Sequence, residues 1–445
     1  MDNPFVITVL GSSGGVARAL LTLFERSLLD EQAPLHHYLS NAKIHGIDRE
    51  QKPRSYYREF APELSSRLKL HQLDLTHAET LKQHCMRTKT QLVIDLSWAD
   101  TRSMIACCDE LGIAYVNTAL EDTEVDEMPE VEATSLLERI DRFEKVEHTF
   151  KKVRAIVCSG MNPGVVQWMA VKMMKENPDQ KPRAIYVVEK DDTFYTDRSL
   201  VKPKTVYVTW SPECFLEEAI SNYPVYSISD TTYMLFDDVY NREYTVRLGD
   251  LTFSGCIMAH EETIALAEDY ELETAFIYRV NDYTTEQIQD NLDNVDDLWE
   301  YDQKLLHPDD GELSGSDLVG VLLVYDDHER YMYNSIKNED AYAEFKTNAT
   351  YVQVASGVYA AAAVILLDGV EPGVHWVHDL TEAEDSRYGD YVTYYLREFV
   401  TGTNEGTDGL LLARLVDDDD EDEDDEDDED DEDEDANEED DIAVL

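Results

Sequence analysis

Residues 5–24, Phe5-Val-Ile-Thr-Val-Leu-Gly-Ser-Ser-Gly-Gly-Val-Ala-Arg-Ala-Leu-Leu-Thr-Leu-Phe24, join an apolar, β-branched run to a glycine-rich turn. Beyond the turn, Val16, Leu20, Leu21 and Phe24 recur at helical spacing. A buried strand, a sharp turn and an amphipathic helix in that order are the opening unit of a parallel sheet covered by helices. Glycine is required there because the backbone must turn tightly and admit a pyrophosphate to the helix N-terminus. Unpaired N–H groups and the positive end of the helix dipole bind anions at that point. Gly11, Gly14 and Ala17 follow a G-x-x-G-x-x-A spacing rather than G-x-G-x-x-G. Read as a dinucleotide turn, it puts Gly11, Ser12, Ser13, Gly14, Gly15 and Val16 against the cofactor. Read structurally, it is a tight strand-to-helix connection with no ligand.

The alternation continues. Residues 42–48 form a second strand ending at Asp48, where a carboxylate can hydrogen-bond a ribose and repel a 2′-phosphate, which favours NAD. The adjacent Arg49 weakens that preference. Strands at 68–75, 91–97 and 113–118 alternate with helices at 78–84 and 104–111, the pattern of a doubly wound parallel sheet. Ligands of such sheets lie beyond the carboxyl ends of the strands, where Ser97, Asn117 and Thr118 stand. A polar helical stretch, 124–151, leads out to a strand at 153–158 and the turn Ser-Gly-Met-Asn-Pro-Gly at 159–164. Asn162 is there a helix cap or a ligand contact, and spacing alone favours the cap.

From residue 184 the strands lengthen and loops replace crossover helices: 184–188, 204–210, 244–248, 251–258 and 320–325, with an alanine- and valine-rich helix at 351–367. This predicts a mixed or mainly antiparallel sheet of α+β type. The expected organisation is a Rossmann-type domain over 1–155, with 375–416 returning to it. A substrate and dimerisation domain covers 156–374, and a disordered acidic tail 417–445.

That tail qualifies the net charge of −59 on 445 residues. The unbroken acidic run 417–435 and the four acids at 438–441 carry 23 of those charges, leaving −36 on the body. So acidic a body disfavours nucleic acid and anionic membranes and attracts cations, although the same charge serves solubility equally well. The six cysteines form neither C-x-x-C pairs nor a dense framework, as expected of reduced thiols in the cytoplasm. No basic leader opens the chain, and no apolar run reaches the roughly 20 residues that span a bilayer, so neither secretion nor membrane insertion is expected.

Polar residues gather at strand ends in the second half: Glu189, Trp210, Glu217 with Glu218, and His260 followed by Glu261 and Glu262. Carboxylates beside an aromatic face are what an organic cation needs, because they pair its ammonium groups while the ring attracts them. Taken singly, each has an ordinary reading as a solvated charge, a core aromatic or a structural histidine. Without an H-E-x-x-H pattern, no metal is expected at His260.

Several short segments, in order, resemble the bacterial homospermidine synthases, relatives of the saccharopine dehydrogenase-like reductases. They are Tyr115-Val-Asn-Thr118 with Glu121, Ser-Gly-Met-Asn-Pro-Gly at 159–164, Thr-Trp-Ser-Pro-Glu-Cys-Phe-Leu-Glu-Glu at 209–218 and Gly-Cys-Ile-Met-Ala-His-Glu-Glu-Thr-Ile at 255–264. Ser-Asp-Leu-Val-Gly-Val-Leu-Leu at 316–323 and Asn-Ala-Thr-Tyr-Val-Gln-Val-Ala-Ser at 348–356 complete the set. The resemblance implies a homodimer holding NAD that joins two putrescines, or spermidine and putrescine, into sym-homospermidine. Ammonia or 1,3-diaminopropane is released, and the hydride is kept on the cofactor within the cycle. It further implies that Trp210 holds a cation by cation–π attraction and that Glu189 and Glu218 bind amine ends. Asn162, Asp317 and Glu217 would line the pocket, and His260 would transfer protons. Ser13, at the place of the family's second glycine, Pro212 and the acidic tail depart from that pattern. The competing readings are an NAD(P)-linked reductase of the saccharopine or carboxyspermidine type, which would need an arginine for a substrate carboxylate, and a non-catalytic dehydrogenase-like binding protein.

Overall fold

The computed structural model describes residues 4–416; the predicted tail lies outside the described residues. Six strands open the chain: β1 (Val6–Leu10), β2 (Lys43–Asp48), β3 (Leu68–Gln72), β4 (Leu92–Asp95), β5 (Ala114–Asn117) and β6 (Arg154–Ile156). A second set follows: β7 (Ala184–Asp191), β8 (Phe194–Tyr195), β9 (Thr205–Val208), β10 (Val225–Ile228), β11 (Thr231–Met234), β12 (Tyr244–Leu248), β13 (Leu251–Met258) and β14 (Glu273–Arg279). The last six are β15 (Asp302–Leu305), β16 (Leu313–Ser314), β17 (Ser316–Val324), β18 (His328–Lys337), β19 (Gly373–His375) and β20 (Phe399–Glu405).

The first sheet is parallel throughout, in the order β19-β6-β5-β4-β1-β2-β3. This is the doubly wound arrangement the alternating pattern predicts. The central strands β1, β2 and β4 are buried on both faces, so their side chains feed two cores. Ile7, Val9 and Ile44 pack with Leu20, Leu23 and Phe24 of the helix Gly15–Leu29. Leu10, Ile47 and Val93 pack on the other face with Leu81, Met104 and Ile105. Burying each such side chain contributes about 1.5–3 kcal/mol.

The second sheet is nine-stranded and mixed: β11-β10-β14-β7-β17-β18-β20, with β13 bridging β12 and β14. β14 and β7 are parallel, and the other pairs are antiparallel. Two small pairs, β15 with β9 and β16 with β8, stand beside it. After residue 372 the chain serves both halves, since β19 extends the first sheet and β20 the second. Residues 388–399 form the helix Tyr388–Tyr395 followed by the start of β20.

One helix differs from expectation. Ala349–Leu367 has 19 residues and a mean hydropathy of 1.7 in its most apolar window, enough by length and composition to cross a bilayer. Here 83% of that window is buried inside the protein, between the helices Gly15–Leu29 and Tyr388–Tyr395. It is apolar all round because protein surrounds it on all sides.

Candidate functional site

Close approaches shape the first turn. Gly11 leaves β1 at φ +67°, and a Cβ there would lie 2.1 Å from the Leu96 carbonyl oxygen. Only glycine accepts both conditions without displacing the end of β4. Gly14 caps the helix, its N–H donating to the Gly11 carbonyl at 3.1 Å. Gly15 serves packing, since a Cβ would meet the Tyr351 ring at 2.1 Å. Ser12 is buried, with its N–H on the Ile47 carbonyl at 3.1 Å. Asp48 accepts from the Ser13 N–H at 2.9 Å and the Glu50 N–H at 3.0 Å, which fixes its carboxylate at the mouth of β2.

A cavity of about 730 Å³ opens over this turn and brings together Gly11, Ser13, Gly14, Asp48 and Ser97. Ser12, Gly15, Val16, Asn117 and Thr118 are not on its lining. Asn117 ties elements together: its amide donates to the Ala119 carbonyl at 2.6 Å and its oxygen accepts from the Cys158 N–H at 2.9 Å. Thr118 lies beside Gly160. The glycine cradle at Gly11 and the cavity lined by Gly11, Gly14 and Asp48 fit a dinucleotide.

A second cavity of about 590 Å³ shares Trp98 and Asp126 with the first and is walled by Glu121, Glu213, Cys214 and Glu217. Glu217 is already engaged there, accepting from the Ser135 hydroxyl at 2.7 Å and from Arg139 at 2.6 Å. Glu217 opens the π-helical turn Glu217–Ser221. Such widened turns are frequent at functional sites, and in this one Glu217 but not Glu218 lines the cavity.

The remaining predicted residues lie off both cavities, in an acidic interior where the ends of β7, β13 and β17 meet. β7 contributes Glu189 and Asp191, and β17 contributes Asp317 in register with Asp191. Asn162 donates to Glu189 at 2.5 Å. The helix Val165–Glu176 is instead capped by Gly164, which corrects the spacing-based assignment of Asn162 as the cap. Gly164 stands at φ +129° with its Cβ position 2.4 Å from the Gly160 oxygen, so the loop closes on glycine and leaves the asparagine amide for the carboxylate. Asp191 accepts from Thr209 at 2.5 Å, and Asp317 from Thr350 at 2.6 Å. Burial first, and then repulsion from neighbouring carboxylates, Asp191 for Glu189 and both Glu189 and Asp191 for Asp317, raises the two above the usual carboxylate range. Burial likewise pushes Glu218 up to about 8, against the pull of His260.

His260 follows β13 and hydrogen-bonds Glu262 through Nδ1. Burial disfavours its imidazolium, but the Glu262 carboxylate outweighs that and raises it to about 10. Its ring lies against Phe276, centroids 4.6 Å apart. Glu261 accepts from the Leu120 N–H at 3.1 Å, joining this corner to the loop after β5. Trp210, half-buried, packs edge-on to Phe215 and donates from Nε1 to the Tyr278 hydroxyl at 3.4 Å. Three buried carboxylate oxygens of this interior have no hydrogen-bond partner among the described residues: Glu218 Oε2, Glu262 Oε1 and Asp317 Oδ1. An unpaired buried acceptor costs about 1–3 kcal/mol, and more when charged, so a donor entering this interior would be favoured.

The structure adds residues that the sequence reading passed over. Asp191, Thr209 and Thr350 complete the acidic network, and their pairing depends on the β7–β17 register. Trp98, 56% exposed, sits between the two cavities directly after Ser97. Its place beyond the carboxyl end of β4 was a legible signal. Arg139 pairs with Glu217 and Asp126 on the second cavity wall. His260, Glu261 and Glu262 also bring three ligating atoms within 4.8 Å of one another, so cation binding there is geometrically open.

No protein-family model matches the chain, and no curated protein matches it in sequence. Among solved structures it is similar to the apo saccharopine dehydrogenase (L-Glu forming) of Saccharomyces cerevisiae. The TM-score is 0.53 at 12% identity, over 89% of this chain and 100% of that one. That is a likeness of fold, across both domains. Partial matches include UDP-glucose 4-epimerase of Bifidobacterium longum, with TM-score 0.24 and 10% identity over 34% of this chain and 52% of that one. An NAD⁺-bound xylitol dehydrogenase matches with TM-score 0.25 and 14% identity over 39% and 77%.

Proposed function

We propose that the protein is a cytoplasmic, homodimeric homospermidine synthase, converting two putrescines, or spermidine and putrescine, to sym-homospermidine with release of ammonia or 1,3-diaminopropane. The observation that carries this reading is the buried carboxylate set around Trp210 and His260, with Glu218 Oε2, Glu262 Oε1 and Asp317 Oδ1 unpartnered. A diammonium substrate supplies the donors those oxygens lack. NAD, when bound, would supply reversible hydride acceptance, and Gly11, Gly14, Ser97 and Asp48 are the residues to hold it.

The protein's own groups have separate tasks. Glu189 and Asp317, with raised affinities for protons, hold one amine end and exchange a proton with it as it binds. Glu218 holds the other end, and the face of Trp210 stabilises cationic carbon–nitrogen species between them. His260, kept charged by Glu262, donates its proton to a leaving amine and takes it back from the entering one. The acidic, aromatic cavity at Trp98, Glu121 and Glu213 is the amine's approach, gated by the Glu217–Ser221 turn.

The test is to incubate the purified protein with putrescine and substoichiometric NAD, following ammonia and homospermidine by mass spectrometry. NADH accumulating in step with substrate loss, without a coupled polyamine, would overturn the synthase. A reductase of the saccharopine or carboxyspermidine type is the second reading, favoured by the two-domain likeness in fold. Against it, Arg139, the arginine on the second cavity wall, is already paired with Glu217 and Asp126.

A further inference from the structure

The first domain contains a cluster of histidines remote from the acidic interior. His45 of β2 and His71 of β3 lie on the same face of the sheet, offset by two positions in register. The helix Ala78–Thr88 packs over that face and adds His84. The rings of His45 and His71 stack with centroids 5.0 Å apart, and His84 meets both edge-on at 5.3 and 4.8 Å. One nitrogen from each lies within 4.8 Å of the others. In a tetrahedral zinc site with bonds of about 2.1 Å, ligand nitrogens are about 3.4 Å apart, within reach of small ring rotations.

The hydrogen bonding of the trio is incomplete. His45 Nδ1 and His71 Nε2 share one bond at 2.8 Å. His84 Nε2 lies 3.5 Å from the Thr8 hydroxyl, which itself pairs with Thr90 at 2.8 Å. His84 Nδ1 is buried with no partner among the described residues. A buried polar nitrogen left unpaired is costly, and a lone pair on a neutral imidazole is what a transition metal binds. Burial, chiefly, lowers all three imidazoles; repulsion from the other rings adds to it at His45, held down to about 4, and at His84, held down to about 3.

We propose that His45, His71 and His84 form a structural site for a divalent transition metal, zinc foremost, with water as the fourth ligand entering beside half-buried His71. Imidazole nitrogens select zinc, copper or nickel over magnesium and calcium, which take oxygen ligands. The Thr8 hydroxyl stands where an outer hydrogen bond would orient the His84 ring. The metal would clamp β2 and β3 to the helix Ala78–Thr88, and so hold residues 73–76, which wall the first cavity next to Asp48. It is a brace for the cofactor side of the molecule and takes no part in amine chemistry.

The experiment uses the full chain, stripped with a chelator, incubated with zinc sulfate or cobalt chloride, desalted and analysed for metal. About one metal ion per chain is expected, with the visible absorption of four-coordinate cobalt. H71N, at the sheet edge, should weaken zinc at least about tenfold with the circular dichroism spectrum unchanged. H45N and H84N should do the same, and added zinc should raise the melting temperature of the wild type alone. No zinc retained by the folded wild type overturns the site. Zinc retained equally by all three variants overturns it too, assigning the metal to His260–Glu262 or to Asp269 with His378.

Discussion

The glycine turn and the acidic interior are built by opposite means. The turn presents backbone and empty space: Gly11, Gly14 and the end of β4 shape a cavity of about 730 Å³, with Asp48 the fixed charge at its rim. The interior presents carboxyl groups instead, off both cavities: Glu189, Glu218, Glu261 and Glu262 surround His260, and Asp317 adjoins Glu189. A cofactor held by shape can serve many reactions. On the proposed function, a cage of unpaired carboxylates selects a cationic substrate, and the interior is then what sets the chemistry.

The largest effect expected is at the interior. If His260 moves protons, H260A should lower homospermidine formation about 10²–10⁴-fold while leaving NAD binding at the turn intact. Loss of both together, measured by product formation and calorimetric NAD titration, would break the division between the two regions. The converse variant is G11A. A Cβ at φ +67°, pressed on the Leu96 oxygen, should cost about 1–3 kcal/mol and weaken NAD in the same titration, with putrescine binding retained.

W210A should be smaller. Losing one cation–π contact of about 0.5–2 kcal/mol raises the putrescine KM or lowers kcat by up to about thirtyfold, and W210F should recover part of it. The smallest expected effect is in the pH dependence of stability. Glu218 is raised to about 8, so the folded state binds a proton the unfolded state has released. Its contribution is present below about 4.3 and is lost as pH rises through about 8. His260, raised to about 10, acts in the same direction at higher pH. The melting temperature without substrate should therefore fall by a few degrees from pH 5 to 8, and E218Q should flatten that slope. Putrescine should restore it, since its ammonium replaces the lost proton. A slope unchanged in E218Q would remove Glu218 from the cage.

These two regions also differ in how far they could be read in advance. The turn was legible because its constraint is local: a glycine at positive φ between a strand and a helix is visible within a few residues. Within it, however, spacing could not separate the residues that face the cavity, such as Gly11 and Gly14, from Gly15, which makes room for Tyr351 some 340 positions away. The interior was legible only as scattered acids. Asn162 illustrates why: as a sequence neighbour of Gly164 it is a cap, and only the approach of β7 gives it Glu189 to bind.

By itself the sequence determined the doubly wound first sheet, the mixed second sheet, the glycine turn and the acidic character of the body. Periodicity, glycine chemistry and charge are properties of neighbouring residues. Tertiary structure alone decided that Glu189, Asp191 and Asp317 face one another, that Glu217 is bound to Arg139 while Glu218 is not, and that His45, His71 and His84 meet. Each of those groupings depends on strand register and helix packing across tens to hundreds of residues, and no local pattern encodes which buried polar atoms end without a partner.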